Sequence, residues 1–69
     1  MGQHAIEVRD VRDVTIHASQ FYDLVYAMAG DDQQHTCRLG PEAVEGRPAS
    51  GDRLVADFAM GQITRAKRA

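Results

Sequence analysis

His35 and Cys37 stand two residues apart, just beyond the acidic pair Asp31-Asp32. Together they offer a divalent cation nitrogen, sulfur and oxygen donors. His4 and His17 are further donors if the fold brings them near. A structural zinc site wants four ligands at recognisable spacing, and this spacing permits a site without specifying one. The plainer reading makes Cys37 a small core residue and His35 a rim residue, since free cysteine is among the most buried residue types. A Cys37 nucleophile activated by His35 fails on geometry. Side chains two apart on one strand face lie about 7 Å from each other, outside hydrogen-bond reach, and no third group orients the pair. There is no G-x-S-x-G, phosphate-binding glycine loop, G-x-G-x-x-G or paired zinc-ligand motif. The sequence therefore predicts a non-enzymatic protein with no cofactor and no assigned metal.

A second set of residues suits single-stranded nucleic acid. Phe21 offers a ring for base stacking, and Arg38, Arg53, Arg65, Lys67 and Arg68 offer cations for phosphate. Tyr22 and Tyr26 share an alternation with Leu24 and Met28, which reads as core with phenol groups at the rim. Glu7, Asp10, Asp13 and Asp23 repel phosphate if they share the binding face, so their placement decides. The run V-R-D-V-R-D-V over residues 8–14 alternates in sign. It reads as a solvated strand face or edge that discourages aggregation, or as an edge that recruits a partner strand.

The elements that must hold these residues are mostly strands. Residues 5–18 are rich in Val, Ile and Thr, but Val8, Val11 and Val14 fall three apart, a helical spacing. A helix and a bent strand compete here; β-branched side chains favour a strand with a bulge near residues 10–13. Residues 21–29 alternate as a second strand after a weak break at Ser19-Gln20, and Gly30-Asp31-Asp32 is a turn. A third strand runs over residues 34–39, with His35, Cys37 and Leu39 on one face. Pro41 and Glu42 suit one short helical turn near residues 41–45. Beyond the turn cluster of residues 47–52, Leu54, Ala56, Phe58 and Met60 alternate cleanly. Gly61-Gln62 then suits a type II′ hairpin into a last strand, residues 63–65. Residues 1–4 and 66–69 are expected to fray. Five strands with one helical insert predict a mostly β, five-stranded small barrel, OB-like (oligonucleotide-binding) or SH3-like, closed or nearly so.

Sixty-nine residues make one domain, residues 1–69, with a thin core that a homodimer would help to stabilise. Cys37 is the only cysteine, which suits a reducing compartment, and no secretory or membrane-spanning pattern is present, so a soluble cytoplasmic protein is expected. The net charge of −2 is unevenly spread. Residues 1–46 hold three basic residues against eight acids, and residues 47–69 hold five against two.

Gly51-Asp52-Arg53, the strand that follows, and Gly61-Gln62-Ile63-Thr64-Arg65 resemble the end of the bacterial translation initiation factor one family. The likeness covers under a third of the chain. That family is an OB barrel with a G-D-R-V strand and a G-R-I-T close. Residues 37–44 leading to Gly51-Asp52 resemble Mop or TOBE molybdate-binding domains, in which a strand enters a helical turn before a G-D turn. The chain is acidic where the initiation factor is basic, and it lacks the Ser-Ala-Arg-Asn segment of Mop. Both resemblances therefore imply a barrel shape more than an activity. Three functions remain open: a binding module for single-stranded nucleic acid or a nucleic-acid-bound protein, a protein-interaction or self-associating barrel, and a small-oxyanion or metal carrier.

Overall fold

β-branched residues settle the first segment as strand. In the computed structural model, which describes residues 2–69, the elements in order are β1 (Gly2–Ile16), β2 (Ser19–Met28), β3 (Gln34–Leu39), a 3-10 turn (Pro41–Ala43), β4 (Arg53–Ala59) and β5 (Gln62–Arg68). All strand pairings are antiparallel, in one sheet of order β3-β2-β1-β4-β5. β1 is the hinge of the sheet. Its first six residues pair with β4, Gly2 opposite Phe58 to Glu7 opposite Arg53, and most of its length pairs with β2.

The helix-like spacing of Val8 and Val11 has a local cause. The ladder between β1 and β2 shifts between Val8, opposite Tyr26, and Asp10, opposite Val25, leaving Arg9 as the extra residue. The bulge thus lies at Arg9, just before the expected residues 10–13. Ile6 and Val8 point inward before it, and Val11, opposite buried Leu24, packs against the core after it. A bulge also explains β5, where the register shifts between Asp57, opposite Arg65, and Phe58, opposite Ile63. Ile63 and Ala66 are both buried although three apart.

The core is built from the inward residues of all five strands, with Ile6, Val8, Leu24, Leu54 and Ala56 at its centre and Val44 from the segment after the 3-10 turn. Tyr22 and Tyr26 are buried, as their alternation predicts. Val44 forms a parallel bridge with Ala66, and Glu45 donates its backbone N–H to the Ala66 carbonyl at 3.3 Å.

The structure is mostly β with five strands and one 3-10 turn, as expected, and because the sheet ends at β3 and β5 without pairing them the barrel is approximate. Three expectations are corrected. Of the ends expected to fray, residues 2–4 pair with β4, Ala66 is buried, β5 runs to Arg68, and Ala69 donates its N–H to Arg53. Met1 lies outside the described residues. The β4–β5 turn is Met60-Gly61 with φ of 53° and 78°, both positive as in type I′ rather than II′. Met60 is consequently 98% exposed at a tip instead of facing inward. Finally, β2 begins at Ser19. The β1–β2 turn is His17-Ala18, again with both φ positive, at 50° and 66°.

Candidate functional site

The outer face of β1, β2 and β3 carries Asp10, Arg12, Val14 and Ile16, then Phe21, Asp23 and Val25, then Thr36 and Arg38. The registers fix this set: Val14 opposes Phe21, Arg12 opposes Asp23, Asp10 opposes Val25, and Asp23 and Val25 in turn oppose Arg38 and Thr36. Sheet twist hollows the face into an open groove of about 480 Å³, lined by Asp10, Arg12, Asp23, Val25, Thr36 and Arg38, with Leu24 and Cys37. Phe21 is half-buried on the same face, opposite Val14.

Arg38 is committed within the groove. Its Nε donates to Asp23 Oδ1 at 2.6 Å and its Nη2 to Asp23 Oδ2 at 3.0 Å, a bidentate pair. Those hydrogen bonds hold the Asp23 carboxyl below its ordinary range, partial desolvation opposes them, and the charges of Arg38 and Arg12 add to the lowering. The same bonds raise the Arg38 guanidinium further.

The other cations expected at a phosphate site lie elsewhere. Arg53, Arg65 and Lys67 share the outer face of the β4–β5 hairpin, where Arg53 opposes Glu7, Asp57 opposes Arg65 and Val55 opposes Lys67. None of the three has an ion pair within 4 Å among the described residues. Glu42 and Glu45 line the same shallow depression as Arg65 and Lys67. Arg68 turns to Asp52, donating from Nη1 to Oδ2 at 3.1 Å. The six candidate contacts therefore divide into three places: Phe21 with Arg38, Arg53 with Arg65 and Lys67, and Arg68 alone. Sequence reasoning overlooked Arg12. Its signal was parity, because the Arg9 bulge moves Arg12 onto the Phe21 face.

The metal-donor residues do not converge. His35 packs its ring against Tyr26 at 5.5 Å, and His4 packs against Phe58 at 5.5 Å. His17 is at the β1–β2 tip, while Asp31 Oδ1 accepts the Gln33 backbone N–H at 3.0 Å within its own turn. Among the described residues no three or more His, Cys, Asp or Glu side chains are grouped to hold a metal. Cys37 is half-buried against the core, and burial pushes its thiol up to about 11, with the Asp23 charge adding to the rise. A thiol so shifted carries almost no thiolate near neutrality, the opposite of what a nucleophile needs. Among the described residues no helix is long and apolar enough to cross a membrane.

No family model, curated protein or solved structure matches the chain.

Proposed function

We propose that the chain is a non-enzymatic interaction barrel whose partner is a protein surface, a second copy of itself included. One observation carries this reading: charges on the groove face are matched in sign, with Arg38 held by Asp23 and Arg12 beside both Asp23 and Asp10. A polyanion gains affinity by neutralising phosphates with cations that are available to it. Here it would have to displace a bidentate carboxylate and approach a second acid. A protein surface of mixed charge meets no such obstacle, and mixed charge around apolar side chains is ordinary interface composition.

A second reading, contact with single-stranded nucleic acid, has its own support in the Arg53, Arg65 and Lys67 face, whose cations have no ion pair within 4 Å among the described residues although Glu7 and Asp57 stand opposite two of them. The two separate in one pair of measurements. Sedimentation across a concentration series reads self-association, and a labelled single-stranded oligonucleotide titrated at two salt concentrations reads the other. Three phosphate contacts on a single strand give a log–log salt slope near −2, an affinity loss of roughly 20-fold between 50 and 200 mM salt. The interaction reading expects association and no such binding. Oligonucleotide binding with that slope by a strictly monomeric protein would overturn it. The carrier reading is checked alongside: a melting temperature raised by molybdate or zinc would bring it forward, since a ligand of the native state must stabilise it.

A further inference from the structure

The geometry points to a second copy of this chain covering the outer face of the β1–β2 arm, through Val14, Ile16 and Phe21 with Arg12 and Asp23 beside them. This rests on the self-association reading above and gives it a location. The arm consists of residues 13–21, two strands with no third beside them, held at its base by Arg47, which donates from Nη2 to Asp13 Oδ2 at 3.1 Å. β1–β4 pairing stops at Glu7, and β2–β3 pairing stops at Tyr22 opposite Leu39. From residue 9 to residue 21 no side chain is buried. A two-stranded hairpin standing alone is marginal in water; a third strand or packing against another surface is what makes one stable. This arm has a further handicap, because His17 and Ala18 occupy left-handed conformations that side chains with a Cβ adopt at a cost. Its apolar row is left open: Val14 sits opposite Phe21, and Ile16 is 36% exposed.

The charges say what fits there. Next to the apolar row runs Arg12, Asp23, Arg38 across three strands, and next to that Asp10, Val25, Thr36. Arg38 and Asp23 are already bonded to each other, which leaves Arg12 and Asp10, one base and one acid, for a partner. A face that offers one of each brings base to acid when rotated onto its own image, as a two-fold interface allows. A uniformly acidic or basic partner would meet a like charge at one of the two. A 69-residue chain with a thin core also gains stability from added buried area.

The test is sedimentation of the full chain together with amide exchange at high and low protein concentration. Wild type is expected to dimerise, and amides of residues 14–21 to gain protection as the dimer forms. Phe21→Glu and Ile16→Lys are each expected to weaken the dimer by at least about tenfold and to abolish that gain. Ile16 is exposed in the single chain, so its variant remains folded should Phe21→Glu fail to fold. A dimer untouched by Ile16→Lys, with the arm unprotected, overturns this surface and leaves self-association standing. A monomer up to about 1 mM, the weak limit of specific association, overturns both.

Discussion

Arg38 and Asp23 face each other across the β2–β3 ladder and share two hydrogen bonds, at 2.6 and 3.0 Å, on the open side of the sheet. The pair connects fold and surface. It ties an end strand to its neighbour, and it removes from the groove a cation that would otherwise be available to an anionic ligand.

Its pH dependence follows from the direction of the shift. Asp23 is held below its ordinary range in the folded chain. Its contribution is therefore present above the unfolded carboxylate value of about 3.9 and is lost as pH falls through the folded value. Asp23→Asn should melt slightly below wild type at neutral pH, and the gap should close on acidification below pH about 4. Because both side chains are largely exposed, the gap should also shrink with added salt. Thermal melts of the two proteins across pH and salt check this; a gap that widens in acid would contradict it.

The Arg9 bulge holds one extra residue in β1. Deleting Arg9 removes the extra residue and leaves Val8, Asp10, Val11 and Arg12 in regular alternation with the facing and partners they already have, because strand side chains alternate with a period of two. The deletion is expected to retain cooperative unfolding. Arg9→Ala keeps the extra residue and loses only an exposed ion pair with Glu7 at 3.2 Å, so its stability should lie within about 0.5 kcal/mol of wild type. Circular dichroism melts of both variants check this; loss of cooperative unfolding in the deletion alone would show that the bend at the bulge, beyond facing and charge, is required.

Much of this fold is legible in the sequence where period-two alternation is uninterrupted. β3 spans residues 34–39 as read, and Leu54 and Ala56 are buried while Arg53 is exposed, because each strand there has one face on the core. The strand reading of residues 5–18, from their β-branched side chains, holds as far as Ile16. The position of the bulge shifted because the charged residues 10–13 carry no facing information, whereas Val8 and Val11 three apart on one face do. The His17-Ala18 turn leaves no trace, since it lacks the Gly, Asn or Asp that turns of this type favour. For the site, alternation puts Phe21 with Asp23 and Arg38 with Thr36. Only the cross-strand register, set by long-range packing, brings Asp23 to Arg38 and sends Arg53, Arg65 and Lys67 to another face.

Cys37 should be slow to alkylate. With its thiol pushed up to about 11, the thiolate fraction at pH 8 is about 0.001. An unperturbed thiol near 8.5 has roughly a quarter ionised there, so iodoacetamide should label Cys37 at least about 100-fold more slowly than a free cysteine. Labelling in denaturant should restore the ordinary rate. Fast labelling of the folded protein at pH 8 would mean that the β3 edge opens readily.

Two turn tips place ordinary side chains where φ is positive: His17 and Ala18 on one, Met60 on the other. Neither tip is buried, so packing does not compensate for the conformation. Ala18→Gly removes a Cβ from a left-handed residue, and Met60→Asn substitutes a side chain that tolerates it and is favoured at the first position of a type I′ turn. Each is expected to raise stability, by about 0.5–1 kcal/mol, with additivity because the tips lie on different hairpins. Denaturant unfolding of the two single variants and the double variant measures this. A loss of stability for Met60→Asn would show that the 98% exposed methionine has a partner in solution, such as a second copy, and the concentration dependence of that loss would identify it.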